Sequence, residues 1–174
     1  DGFGVDCANI TDDWIIKDFV KPENVCQILA SQNTPTEFDF LNLDLDSSDF
    51  WVLKELLKEY APRVICTEFN GVLNPNQSLV LEYEDGYTWD NTNKYGYSFA
   101  AGKKLLEENG YVIIYNLHDT NIFAVKKELL AGIEFPEVII RLELPASGNS
   151  ITAKFFSWSE TELKFIPIVD ATTW

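Results

Sequence analysis

The sequence predicts an α/β fold, a sheet layered with helices on both faces. Two observations carry this. From Phe3 to Gly110, short β-branched and aromatic runs alternate with stretches whose apolar residues recur at helical spacing. Two strand-like runs, Tyr111 to Asn116 and Asn121 to Lys127, then close the pattern as an antiparallel hairpin. Beyond Leu130 the character changes to three strand-like runs, EVIIRLEL, ITAKFFSW and ELKFIPIV. Residues 1–130 are therefore expected to form the α/β domain, and 131–174 a C-terminal antiparallel β-meander extension.

Taken in order, FGVDC (Phe3 to Cys7) reads as the end of a short strand and DWIIKDF (Asp13 to Phe19) as another. Pro22, with Val25, Ile28 and Leu29 at helical spacing, predicts a helix from Pro22 to Ala30. Phe38 to Leu45 is apolar on both faces, which suits a central strand covered from both sides. Ser48 or Asp46 is placed to cap the helix that follows, in which Val52, Leu53, Leu56, Leu57 and Tyr60 recur and which Ala61-Pro62 closes. RVICTEF (Arg63 to Phe69) is a β-branched strand ending at the Asn70-Gly71 turn. Val72 to Tyr95 is a long aromatic loop with a short strand at Leu79 to Tyr83, and a helix from Tyr97 to Asn109 ends at Gly110.

The chain has 174 residues, 46% of them hydrophobic, enough for one sizeable core. With 13 Lys+Arg against 28 Asp+Glu, its formal charge of −15 repels phosphate backbones and anionic membranes, so neither nucleic acid nor membrane is expected as a partner. Cys7, Cys26 and Cys66 are scattered, and His118 is the one imidazole, so no zinc site or disulfide framework is expected. A reducing intracellular compartment, the cytoplasm first, fits that usage. The sequons at Asn9 and Asn76 matter only in a secreted chain.

Ligands of layered α/β sheets bind at the carboxyl ends of the strands. Asp6, Asp44 with Asp46, and Glu68 with Asn70 each end a predicted strand, which puts them on one candidate edge. For Asp44, Asp46 and Asp49 two readings stand: a carboxylate cluster that orients a ligand, or a strand exit and helix start whose acids accept free N–H groups. Asp49 is the residue that best suits the second reading. An Asp-x-Asp pair offers only two ligands on one face, so no metal is expected. Asn70 reads either as a ligand contact or as a loop cap before Gly71, while Trp89, Tyr95 and Tyr97 read as an aromatic lid or as loop packing. His118 lies in the hairpin turn, and Cys66 in a strand reads as a small buried hydrophobe.

DFLNLDLDSSDFWVLKEL resembles the fourth strand and following helix of class I S-adenosylmethionine-dependent methyltransferases, FkbM-type enzymes in particular. RVICTEFN resembles their fifth strand, KYGYSFAAGKKLLEENGYVIIYN and NIFAVKKELL their last helix and closing hairpin, and FVKPENVCQIL the helix before the fourth strand. The resemblance spans Val5 to Leu130. It implies a Rossmann-like three-layer sandwich, S-adenosylmethionine as cofactor, and transfer of its methyl group to an acceptor. It also implies Asp6 and Asp44 at the cofactor, and Asp46, Glu68 and Asn70 at the acceptor. The family's first strand and its glycine-rich turn have no counterpart here. The chain is then either part of a longer methyltransferase-like protein, or a relative that serves without the cofactor as a structural or interaction module. In that second reading the edges of the C-terminal strands would pair with a protein partner. A third reading takes Asp44-Leu45-Asp46 as the Asp-x-Asp of a metal-dependent glycosyltransferase.

Overall fold

The computed structural model describes residues 2–8, 12–117 and 120–133, and the backbone of 155–157 and 164–166. The expected strand EVIIRLEL and the expected role of His118 lie outside the described residues.

The predicted alternation appears as a mixed α/β fold. Strands β1 (Gly4–Asp6) and β2 (Ile15–Lys17) pair in parallel as a two-stranded sheet of their own, with Val5 opposite Ile16. Helix α1 (Val25–Ser31) starts three residues later than Pro22 suggests. The reason is local: the Asn24 side chain accepts the Lys21 N–H at 2.7 Å and donates to the Phe19 carbonyl at 3.0 Å, holding residues 21–24 in a turn.

A four-stranded sheet forms the centre. Strand β3 (Phe40–Leu43) lies parallel to β4 (Val64–Glu68), with helix α2 (Asp49–Leu56) in the crossover between them. Strand β5 (Leu79–Leu81) precedes helix α3 (Phe99–Glu108), and then β6 (Tyr111–Leu117) and β7 (Asn121–Lys126) form the predicted hairpin. The sheet order is β3-β4-β7-β6, so the last strand inserts antiparallel between β4 and β6. Strand β3, expected to be central, therefore sits at an edge of this sheet. Phe40 on it is 53% exposed. Its apolar character serves the core through Leu43 and the cleft described below through the rest.

The core is built where the two periodicities meet. Phe50, Val52, Leu53 and Leu56 of α2, Ile65 of β4, Leu105 and Leu106 of α3 and Ile122 and Ala124 of β7 are buried in one cluster. Ser98 caps α3, its Oγ accepting the Ala101 N–H and also the Leu79 N–H at 2.9 Å, which ties β5 to the helix start. Gly110 ends α3 at φ +83°, a left-handed conformation that favours glycine. Inside α3, Gly102 faces the buried Tyr97 so closely that an added Cβ would fall against its ring.

Strands β8 (Phe155–Ser157) and β9 (Lys164–Ile166) lie within the expected runs ITAKFFSW and ELKFIPIV and are antiparallel, as a meander requires. Strand β8 pairs with β5, so this three-stranded sheet joins the C-terminal segment to the middle of the chain. No described helix is long and apolar enough to cross a membrane.

Candidate functional site

Because β3 and β4 are parallel, their carboxyl ends open on the same edge. Asp44 follows the last residue of β3, and Glu68 is the last residue of β4. The chain then turns back through Asp46, whose φ of +58° is left-handed, a conformation Asp tolerates better than most residues. These three acids meet: one carboxylate oxygen of each of Asp44, Asp46 and Glu68 lies within 4.8 Å of the others. Asp44 and Asp46 are exposed and Glu68 is half-buried.

Crowding of like charges at a partly dry site governs their chemistry. Burial, and then the charges of Asp49, Asp44 and Asp46, push the Glu68 carboxyl up to about 8. Asp44 is also raised, by burial first and by Asp46 second, while a contact with Glu68 pulls it back. At neutral pH, Glu68 holds a proton beside Asp44. Glu68 Oε2 is buried without a hydrogen-bond partner.

Asp49, expected as a first-turn acid, is the first residue of α2 and is fully buried. Its carboxylate does not cap the helix but reaches back: Oδ1 accepts the Leu45 N–H at 2.8 Å and Oδ2 the Ser47 N–H at 3.1 Å. Burial raises it to about 7, against the opposing pull of those N–H donors. The expected cap by Ser48 or Asp46 is not formed: Ser48 occupies the cap position without a side-chain bond. With Asp49 holding the turn from behind, Asp46 projects into the cluster.

Asn70 is fully buried. Its Nδ2 donates to the carbonyls of Asn93 and Tyr95 at 3.0 Å each, and its Oδ1 accepts the Val72 N–H at 3.1 Å. The side chain expected at the acceptor is thus engaged in holding the aromatic loop against the end of β4. That loop presents Trp89 edge-on to Tyr95, with ring centres 6.2 Å apart. Tyr95 is raised to about 12 by burial first and then by the charges of Glu68 and Asp46. Tyr97 is core instead, fully buried with its hydroxyl 3.0 Å from Thr67 Oγ1. Cys66 is buried in β4, as expected of a small hydrophobe.

Asp6 was expected on the same sheet edge, but β1 does not belong to the four-stranded sheet. The link is a cleft instead. A space of about 1300 Å³ runs along β3 between the N-terminal sheet and α1, and both Asp6 and Asp44 line it, with Val25, Phe38 and Leu43 as apolar wall. One Asp6 oxygen accepts the Ala8 N–H at 2.6 Å.

The edge was legible from strand ends, but the joining of Glu68 to the Asp44/Asp46 pair was not. Nor was the inward role of Asp49; its one sequence signal is an acid directly preceding Phe50, Trp51, Val52 and Leu53. No protein-family model, curated protein or solved structure matches this chain.

Proposed function

We propose that this chain is a methyltransferase-like domain whose reactive edge is the Asp44, Asp46 and Glu68 cluster. The observation that carries this reading is the sheet order β3-β4-β7-β6, with the last strand antiparallel between its neighbours and the acids at the carboxyl ends of the parallel pair. In this reading the fold is part of a Rossmann-like three-layer sandwich.

The cleft that joins Asp6 to Asp44 suits S-adenosylmethionine in size and in its donor set, since a strand-end carboxylate is a ribose-hydroxyl acceptor. Asp6 and Asp44 would hold it. When bound, it supplies a sulfonium methyl group for in-line displacement. The chain's own contribution is positioning. Asp46 accepts a hydrogen bond from an acceptor hydroxyl or amine, fixes it at the sheet edge, and receives the proton that the acceptor sheds. Asn70 holds the backbone of Tyr95 against the end of β4 beside that edge.

Titrating S-adenosylmethionine into the chain tests the reading by calorimetry and thermal melting. Saturating ligand is expected to stabilise the fold, by about 3 kcal/mol at a hundredfold excess over Kd, and Asp44→Asn to weaken binding. Absence of both heat and protection overturns cofactor binding by this chain.

A second reading is favoured by one specific observation. The fold adds Glu68 to the Asp-x-Asp pair, so three hard oxygen donors converge where two were expected. A divalent cation held there would orient the acceptor and displace the Glu68 proton. Manganese titration near pH 7 is expected to release close to one proton per ion bound. No binding at millimolar manganese removes this reading and leaves the first intact.

A further inference from the structure

We propose that the cleft along β3 is a strand-docking groove, in which an extended segment of a partner polypeptide, apolar on one face and basic at its ends, pairs with the open edges of β1 and β3. The inference goes beyond the methyltransferase reading and does not rest on it.

The backbone carries the argument. Strand β1 is an edge of the two-stranded sheet and β3 an edge of the four-stranded one, and every residue of both lines this one cleft. In a parallel ladder, alternate residues give both their backbone groups to one neighbour. The Asp39 carbonyl accepts the Val64 N–H at 3.0 Å, and Phe40 lies opposite Val64, so residues 39, 41 and 43 face β4. The N–H and C=O of Phe40 and Asn42 therefore turn toward the cleft. In β1, the Gly4 N–H bonds the Trp14 carbonyl at 2.9 Å and the Asp6 carbonyl accepts the Asp18 N–H at 3.1 Å. Gly4 and Asp6 thus face β2, and Val5 turns its pair of groups away from it. Neither β1 nor β3 contains the proline or lysine with which natural edges resist pairing.

What satisfies two facing edges at once is a strand, which joins both sheets through main-chain hydrogen bonds. The space, about 1300 Å³, exceeds the roughly 300–1,000 Å³ of a small-molecule site. Side chains of β3 set the pattern of the occupant. Leu41 and Leu43 pack toward the core while Phe40 and Asn42 are exposed, so the docked strand is apolar beside the leucines and covers Phe40 on its other face. The exposed Trp14 belongs to the same lining. Charge completes the description. Ahead of β3, Arg63 answers Asp39 and Lys126 answers Glu37, at 3.0 Å each, whereas Asp6 and Asp44 form no ion pair among the described residues. A basic strand end suits these two acids and the net charge of −15, which itself opposes docking of a second copy of this chain.

The test adds a synthetic peptide to the full chain: alternating valine and threonine between terminal lysines, with both ends blocked. Amide hydrogen exchange, read residue by residue by NMR, is the assay. At millimolar peptide the amides of Phe40, Asn42 and Val5 are expected to exchange at least about tenfold more slowly, and those of β6, the other edge of the four-stranded sheet, to be unchanged. The same peptide with glutamates for lysines is expected to bind at least about tenfold more weakly. Asn42→Pro deletes one N–H on the cleft side and spares the β3–β4 ladder, and it is expected to weaken binding about tenfold. Val5→Pro does the same from the other wall and serves should Asn42→Pro fail to fold; if neither folds, exchange in the wild-type chain decides. No protection at millimolar peptide, protection that falls on β6 instead, equal binding of the glutamate peptide, or unchanged affinity in a folded proline variant overturns the proposal. So does a dimer of the chain alone that the peptide splits on sedimentation, which gives the groove to a second copy. Titration with S-adenosylmethionine is a separate reading, so cofactor binding and strand docking can each fail alone.

Discussion

Glu68→Gln gives the most direct measure of the strained electrostatics at the sheet edge. Glu68 is held at about 8 in the folded chain against an ordinary 4.5. The folded state therefore binds this proton more tightly than the unfolded state does. Below pH 4.5 both states carry it and nothing changes with pH. Between 4.5 and 8 the unfolded chain releases it and the folded chain retains it, so stability falls as pH rises. Above 8 the folded chain has ionised as well, and the full cost of an acid among acids is reached. At about 1.4 kcal/mol per pH unit the gap corresponds to a ceiling of about 5 kcal/mol, and solvent around a half-buried group cuts this to about 2 kcal/mol. Gln has nearly the same shape and no proton to lose. Urea unfolding at pH 5, 7 and 9 with a chelator present is the assay. The two proteins should be matched within about 0.5 kcal/mol at pH 5, and the Gln variant should be more stable by about 2 kcal/mol at pH 9. Parallel stability curves across that range would refute the crowded-carboxyl account of the cluster.

Two further predictions concern what holds the site in place. Gly102→Ala should destabilise the chain by about 1 kcal/mol, because forcing a methyl against the buried Tyr97 ring costs about 1–3 kcal/mol and the better helix former returns about 1; a rise in melting temperature would show that the ring yields freely. Asn70→Ala should cost about 3 kcal/mol through the buried carbonyls of Asn93 and Tyr95 left without donors, and should open the Trp89 loop to limited proteolysis, whereas unchanged cleavage would deny Asn70 its anchoring role.

The pattern of elements was legible because each rests on nearest-neighbour physics. The β-branched run of β4, the capped and glycine-ended α3, and the β6–β7 hairpin all follow from residues close in the chain. The start of α1 was misread because Asn24 supplies its own turn, which a proline at position 22 masks. The central placement of β3 failed because apolarity on both faces reports burial without saying whether a strand or a cleft provides it.

By itself, the sequence determined the order of strands and helices, the net acidity, and the strand ends on which the acids sit. Tertiary structure alone decided which acids meet. Asp46 and Glu68 are 22 positions apart, and only the parallel pairing of β3 with β4 brings them within reach. Asp49 was expected to accept free N–H groups of the helix start and instead turns back to the preceding loop, because that turn leaves two N–H groups for it to accept. Local sequence sets torsion preferences, whereas proximity of charges depends on how distant segments close on one another.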